Sequence, residues 1–263
     1  MRRTMFKKRY YIFLMLIVSN LFACGISEGD NLSNSQQWVP DKLTETEDTV
    51  LIEDTQASLS EQTQKIDNPL SYQVLVNKQF FLPSDFQPDD LRILNVSDAS
   101  KNPNSTIMLR ERAAEMAEQM FREAQLENLE ILLVSGFRSF ERQNRLYDDY
   151  VARYGEKEAN RFSAQPGHSE HQTGLAMDLS TSALGGGISE EFSKTPEGEW
   201  LRANAHRFGF IIRYPEGREE ETGYMYEPWH FRYVGLASAK IINQNNWIFE
   251  EYFVQVMGDG LPD

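Results

Sequence analysis

The distribution of histidine most constrains how this chain can fold. All four histidines lie between residues 168 and 230, in the same stretch as the acidic residues Asp178 and Glu227. The single cysteine, Cys24, lies far from them, which excludes an intrachain disulfide and a cysteine-rich zinc site. Histidine and carboxylate donors without cysteine suit a catalytic zinc ion. The histidines are His168, His171, His206 and His230.

The spacing of His171 and Asp178 requires a turn between them. On a helix the two residues would share a face but lie about 10.5 Å apart. On a continuous strand they would point to opposite faces about 23 Å apart. Neither arrangement brings both donors to about 2 Å from one ion. Thr173-Gly174 supplies a turn, so we expect a strand at 174–180 to carry Asp178 back past His171.

The sequence Glu227-Pro228-Trp229-His230 adds a third donor and a base. We expect His230 at the start of a strand after Pro228, which leaves an open position for water, as in catalytic zinc sites. A water activated by zinc needs a base to take its proton. Because Pro228 holds Glu227 out of helical geometry, a bend can bring this carboxylate alongside the metal. A surface glutamate before a proline is the alternative interpretation.

Three other residues have ordinary structural explanations when each is taken alone. His206 lies on a predicted amphipathic helix, where it is expected to pack or to be solvated. His168 lies three residues before His171, so the two could form an H-x-x-H pair of metal ligands. The Pro-Gly sequence before His168 predicts a loop, however, so we consider Asp178 the better candidate ligand. Arg138 follows a buried strand, where an arginine usually begins a helix or forms a salt bridge.

The first 24 residues are typical of a bacterial lipoprotein signal. They carry five basic residues and no acidic one, followed by the apolar run IFLMLIV at 12–18. This run is shorter than the about 20 residues of a membrane span. The sequence LFACG around Cys24 resembles a lipobox, in which the cysteine is diacylated and becomes the first mature residue. An ordinary cleaved signal or an uncleaved anchor is the alternative. Each interpretation predicts an extracytoplasmic protein, and the first predicts anchoring to the bacterial cell membrane.

Charge and periodicity divide the rest of the chain in two. Residues 25–66 carry nine acidic residues and two lysines without any helical or strand period, which predicts a disordered acidic tether. Residues 67–263 are expected to form the folded domain. The net charge of the chain is -14, which is a poor match for nucleic acid, so we expect no nucleic-acid partner. We also expect a monomer.

The folded part has the periodicity of an α+β domain. Ala113, Met116, Ala117 and Met120 repeat at helical spacing and predict a helix over 105–126. Helices and antiparallel-compatible strands mix without a regular βαβ rhythm, which favours the α+β class. The other predicted helices are at 140–153, 156–163, 197–207, 236–243 and 247–257, and the predicted strands are at 130–134, 174–180, 210–213 and 230–234.

Several motifs then stand together in one order. SGFRS at 135–139, PGHSEHQTGLAMD at 166–178, FIIRYP at 210–215 and EPWHFRYVG at 227–235 resemble the VanY-type D-alanyl-D-alanine carboxypeptidases. They equally resemble the related LdcB-type L,D-carboxypeptidases of bacterial cell-wall metabolism. The resemblance covers about residues 69–257, and its most specific part is the S-x-H-x-x-G-x-A-x-D motif that ends at Asp178.

This resemblance implies a fold, a metal site and a substrate pocket. The implied fold is a small antiparallel sheet flanked by helices, shared with the Hedgehog signalling domain. One zinc ion would be held by His171, Asp178 and His230, with Glu227 as the catalytic base. Arg138 would contact the substrate, either at the scissile carbonyl or at the terminal carboxylate. Weaker candidates for the pocket are Gln143, Ser163, Ser169 and Tyr214.

The implied activity is removal of the terminal D-alanine from peptidoglycan stem peptides. Either the pentapeptide or the tetrapeptide could be the substrate. Serine D,D-peptidases need S-x-x-K, which the sequence lacks. The G-x-S-x-G pattern of many hydrolases occurs at 25–29 (GISEG), in the predicted tether, without the preceding strand and following helix that a nucleophile elbow requires. Cys24 belongs to the signal, which excludes a cysteine nucleophile. An endopeptidase, with a groove open on both sides of the metal, is one alternative. A non-catalytic wall-binding or signalling module, which would lack a ligand or the base, is the other.

Overall fold

Helices flank one small antiparallel sheet in the computed structural model, which describes residues 63–100 and 106–258. Its strands are β1 (Gln64–Lys65), β2 (Phe80–Phe81), β3 (Leu91–Ile93), β4 (Met108–Arg110), β5 (Ile131–Ser135), β6 (Ala176–Thr181), β7 (Phe210–Tyr214) and β8 (Glu227–Tyr233). Its helices are α1 (Glu111–Leu126), α2 (Phe140–Tyr154), α3 (Glu156–Phe162), α4 (Pro196–Asn204), α5 (Glu219–Thr222), α6 (Leu236–Asn245) and α7 (Phe249–Met257). Short 3-10 helices include Glu170–Thr173 and Ala205–Phe208.

The four longer strands form the sheet, in the order β5-β6-β8-β7, and every neighbouring pair is antiparallel. Two short ladders, parallel β1–β2 and antiparallel β3–β4, lie outside it. The α+β class and the small antiparallel sheet flanked by helices are therefore confirmed. Among the residues that the structure describes, no helix has the length and apolar character needed to cross a membrane.

Two apolar clusters hold the sheet. The larger cluster includes the predicted stripe of α1, with Ala117 and Met120 fully buried, together with Phe231 of β8. The smaller one packs α6 and α7 through Ile242 and Phe249 against Ile211 of β7. Burial of one such side chain stabilises a fold by about 1.5–3 kcal/mol. Strand β7 thus contributes to both clusters, through Phe210 and Ile211, and β8 packs in the larger one.

Long-range pairing moves several predicted boundaries. The helix expected from residue 105 begins at Glu111, because residues 108–110 pair with β3 instead. The helix expected to run to residue 207 ends at Asn204 and tightens into a 3-10 turn. Gln64 and Lys65, which the sequence assigns to the end of the tether, pair with β2, and Ile66 is buried. The predicted signal, Cys24 and tether residues up to 62 lie outside the described residues.

Strand β8 departs most from expectation, since it begins at Glu227 and contains Pro228. Ile212 of β7 pairs with Phe231, and the next pair is Tyr214 with Glu227. The chain therefore advances two residues along β7 and four along β8 between these pairs. This bulge accommodates a proline, which cannot donate a ladder hydrogen bond. The expected start of the strand at His230 is wrong for that reason.

Candidate active site

Two of the proposed ligands are direct partners across the sheet. Asp178 of β6 pairs with His230 of β8, and Asp178 Oδ1 lies 3.1 Å from His230 Nδ1. His171 lies in the 3-10 turn before β6, with its Nε2 atom 3.2 Å from Asp178 Oδ2. The three residues offer donor atoms that all lie within 4.8 Å of one another. The structure therefore brings together the three ligands that the sequence predicts.

Gly174 makes the reversal between His171 and Asp178 possible. Its φ angle is 67°, in the left-handed region that suits glycine. A Cβ atom there would lie 2.8 Å from Leu91 Cδ2 and 3.0 Å from Arg110 Cγ. The backbone of Gly174 also accepts a hydrogen bond from Arg110 N at 2.8 Å. The turn that the spacing requires is thus formed where it was predicted.

The donor set fits zinc in its chemistry and orientation. His171 Nδ1 lies 2.7 Å from the carbonyl oxygen of Gly136, which can only accept, so Nδ1 donates and Nε2 keeps its lone pair toward Asp178. Burial lowers the pKa of His171, which favours the neutral, ligating form. Burial raises the pKa of Asp178, but contacts with His171 and His230 outweigh it and hold this carboxyl well below its usual range. Two neutralisable imidazoles and one carboxylate are typical ligands of a catalytic zinc.

Glu227 is buried beside the ligands and not on the surface. Its Oε2 atom lies 3.7 Å from His230 Nδ1, and the residue is 7% exposed. Burial raises its pKa to about 8, although His230 opposes the rise. Burial lowers the pKa of His230, but hydrogen bonds with Asp178 and Glu170 outweigh burial and raise it to about 9. A carboxyl group that titrates near neutrality is suited to proton transfer.

Arg138 faces the ligand group from the segment after β5. Its Nη2 atom lies 3.8 Å from Asp178 Oδ2, and its Nη1 atom donates to Gln143 Oε1 at 2.7 Å. Gln143 is itself fixed, because its Nε2 atom donates to the Ala164 carbonyl at 2.6 Å. The backbone N–H of Arg138 donates to the His171 carbonyl at 3.1 Å. Burial lowers the pKa of this arginine, although the charge of Asp178 opposes the change.

A single pocket contains every predicted site residue of the folded domain. The weaker candidates Gln143, Ser163, Ser169 and Tyr214 all line it, together with the ligands, Glu227 and Arg138. Aromatic side chains that the sequence did not single out also line it. They are Tyr150, Phe162 and Tyr224, with Trp229 beside them.

The two remaining histidines lie elsewhere. His168 contacts the Asn77 carbonyl through Nδ1 at 2.8 Å, and its ring packs near Phe81. His206 lies in the 3-10 turn Ala205–Phe208 and does not line the pocket. Neither belongs to the donor cluster found among the described residues, so the H-x-x-H alternative is not supported.

Sequence reasoning missed three charged residues of a buried network that contacts His230. Glu170, Arg213 and Arg232 are at most 1% exposed. Burial raises the pKa of Glu170, but Arg232 and Arg213 outweigh burial and hold it well below its usual range. The sequence does contain a signal for this network, because each of two apolar strands, FIIRY and FRYV, includes an arginine. A buried charge needs a partner, so these arginines indicate a buried acidic residue nearby.

Comparisons with known proteins agree on one family. The family model described as D-alanyl-D-alanine carboxypeptidase, VanY, matches residues 106–236. The provisionally named carboxypeptidase YodJ of Bacillus subtilis is 39% identical over 247 residues, covering 89% of this chain and 90% of YodJ. The solved LdcB LD-carboxypeptidase is 44% identical with a TM-score of 0.71, covering 74% of this chain and 91% of its own.

A second solved structure adds the metal. It is a variant of the vancomycin-resistance D,D-pentapeptidase VanY in complex with Zn(II). It is 30% identical with a TM-score of 0.59, and the match covers 69% of this chain and 98% of that one. Both structural matches therefore extend over most of the described residues, and the zinc peptidase fold implied by the sequence motifs is confirmed.

Proposed function

Because this chain belongs to the VanY family of D-alanyl-D-alanine carboxypeptidases, we propose that it removes the terminal D-alanine from peptidoglycan stem peptides in a zinc-dependent reaction. One observation carries the proposal. His171, Asp178 and His230 bring donor atoms within 4.8 Å of one another in a pocket whose wall also holds Glu227 and Arg138. The names of LdcB and VanY support carboxypeptidase chemistry on peptidoglycan.

The residues of the pocket have different roles in the proposed hydrolysis. Zinc, when bound by the three ligands, supplies a Lewis acid that polarises the scissile carbonyl and makes water nucleophilic near neutral pH. Glu227 accepts the proton of the attacking water on its carboxylate and delivers it to the amine of the departing D-alanine. Arg138 places a positive charge beside the ligand group, where it stabilises the oxyanion or binds the terminal carboxylate.

Gln143 and the smaller polar groups serve binding in this proposal. Gln143 fixes the guanidinium of Arg138 through its hydrogen bond at 2.7 Å. Ser163 and Ser169 offer hydroxyl groups at the pocket wall, and the ring of Tyr214 lies near His230, with centroids 5.0 Å apart and the rings tilted by 40°. These contacts would orient a short peptide end, which suits an exopeptidase.

Digestion of two purified stem peptides tests the proposal. The pentapeptide ends in D-Ala-D-Ala, and the tetrapeptide ends in a single D-alanine after an L-configured centre. With zinc present, mass spectrometry should show loss of one D-alanine from at least one of them. The higher identity to LdcB, 44% against 30% to VanY, favours the tetrapeptide. Release from neither peptide would refute the carboxypeptidase activity.

The same assay separates the two alternatives. An endopeptidase would cut a purified crosslinked stem-peptide dimer and leave the single peptides intact. A non-catalytic module would bind stem peptides without any change of mass. The presence of all three ligands and of Glu227 argues against the second alternative, because a vestigial site is expected to lack at least one.

We further propose that the enzyme works outside the cytoplasm as a membrane-anchored lipoprotein. Support comes from the sequence alone: a basic start, a short apolar run and Cys24 at the end of a lipobox-like segment. Two acyl chains, as a diacylglyceryl cysteine carries, give stable anchoring where one chain does not. The acidic segment 25–66 would then tether the domain to its anchor. A monomeric state stays a prediction.

A further inference from the structure

Glu170 contacts His230 of the ligand group and has no assigned role in the reaction above. Its side chain is wholly buried, and its Oε2 atom lies 3.3 Å from His230 Nε2. The other ring nitrogen of His230, Nδ1, lies 3.1 Å from Asp178 Oδ1 and 3.7 Å from Glu227 Oε2. The two ring nitrogens therefore face different groups: Nδ1 faces Asp178 and Glu227, and Nε2 faces Glu170.

Two buried arginines hold the carboxylate of Glu170 in one orientation. Arg213 Nε and Arg232 Nη1 both donate to its Oε1 atom, at 2.8 and 2.7 Å. Because both guanidinium groups bind the same oxygen, Oε2 is left to accept from His230. The arginines lie on β7 and β8, the strands on either side of the bulge.

Each arginine is itself anchored to a distant segment. Arg213 forms a bidentate pair with Glu250 of α7, at 2.9 and 2.5 Å. Arg232 donates to the carbonyl groups of Tyr72 and Val74 in the segment between β1 and β2, at 3.1 and 2.7 Å. Buried charges of this kind give little net stability compared with apolar side chains of equal volume. Their arrangement around one carboxylate oxygen therefore calls for a role beyond stability.

We propose that Glu170 is a positioning residue, which accepts the Nε2–H of His230 and so keeps the Nδ1 lone pair of His230 directed at the metal. The inference rests on the ligand set of the proposed function. A histidine ligand commonly donates its second ring N–H to a carboxylate, which fixes both ring orientation and tautomer. The Gly136 carbonyl accepts from Nδ1 of His171, which leaves Nε2 of that ring to bind the metal. Glu170 would accept from Nε2 of His230, which leaves Nδ1 of that ring to bind it.

The variant Glu170→Gln tests the tautomer directly. Its amide oxygen would stay with the two arginines, which can only donate, so its NH₂ group would face His230 Nε2. That nitrogen would then have to accept, and the ring proton would move to Nδ1, where it blocks the metal. Zinc affinity, measured by competition with a chromophoric chelator, should fall about 10–100-fold.

Glu250→Gln is the matched control, because it disturbs Arg213 from the other side without touching His230. It should lower Tm but leave zinc affinity within about twofold of wild type. Glu170→Gln with unchanged affinity, or an equal loss of affinity in both variants, would overturn the proposal. Failure of the wild-type protein to bind zinc would instead refute the proposed function.

Nitrogen-15 NMR of the zinc-loaded wild-type protein keeps the test decisive if Glu170→Gln does not fold. His168→Gln and His206→Gln identify the signals of the two histidines outside the site. The two remaining rings should then show one proton on Nδ1, from His171, and one on Nε2, from His230. Two rings that both carry their proton on Nδ1 would refute the role of Glu170.

Discussion

The substitution Glu227→Gln should separate metal binding from catalysis. Glutamine keeps the volume of the side chain but cannot take a proton from the attacking water. Loss of a general acid–base group typically costs a factor of ~10²–10⁴ in rate, which corresponds to about 3–5 kcal/mol of activation free energy. Because Glu227 is not proposed as a ligand, zinc content should stay near one per chain.

The same substitution should also stabilise the metal-free protein. Burial raises the pKa of Glu227 from 4.5 to about 8, so the folded state binds this proton more tightly than the unfolded chain. Stability therefore falls as the pH rises from about 4.5 to about 8, and it falls no further above that. Each pKa unit corresponds to ~1.4 kcal/mol, so an uncharged glutamine should recover a few kcal/mol at pH 8.

Three measurements together check this reasoning: elemental analysis of zinc, turnover on the better stem peptide, and Tm after treatment with a chelator. The excess Tm of the variant should be large at pH 8 and vanish near pH 4.5. Retained zinc with near-normal turnover would remove Glu227 from the mechanism. A joint loss of zinc and turnover would show that Glu227 only shapes the bulged start of β8 before His230.

Three further predictions concern ligands, anchor and pocket. Alanine at each proposed ligand should abolish zinc binding and turnover, whereas alanine at the two other histidines should preserve both. The ligand variants are His171→Ala, Asp178→Ala and His230→Ala, and the controls are His168→Ala and His206→Ala. Cys24→Ser should release the protein from membranes or leave its precursor unprocessed, which fractionation and gel mobility will show. Gln143→Ala should loosen Arg138 and lower kcat/KM roughly 10- to 100-fold, since a hydrogen bond to a charged group contributes about 1.5–3 kcal/mol.

The ligand set could be predicted because its constraints are local. The distance between His171 and Asp178 demanded a chain reversal, and Thr173-Gly174 was the sequence able to supply it. The structure has that reversal, with Gly174 in the left-handed conformation. The helical stripe of α1 was likewise readable from spacing alone, since its apolar residues face one cluster.

The remaining features depend on pairing across the chain. Helical periodicity extends before Glu111, but residues 108–110 pair with β3 and form a strand instead. The burial of Arg213 and Arg232 depends on Glu170 and Glu250, which lie 37 to 62 residues away along the chain. Local rules assign a charged residue to the surface, so such a network becomes visible only when its partners are placed together.

The position of the base explains why β8 is irregular. Regular pairing with β6 places His230 opposite Asp178, at a Cα separation of about 4.5–5.5 Å that lets both side chains reach one ion. In a regular strand, however, Glu227 would point away from His230, because the two are three positions apart and side chains alternate. The bulge opposite β7 adds residues between Glu227 and Phe231, and it brings the Glu227 carboxylate to 3.7 Å from His230 Nδ1. Ligand and base on one strand at this spacing therefore require a break in the ladder, and Pro228, which cannot donate to a ladder, lies in that break.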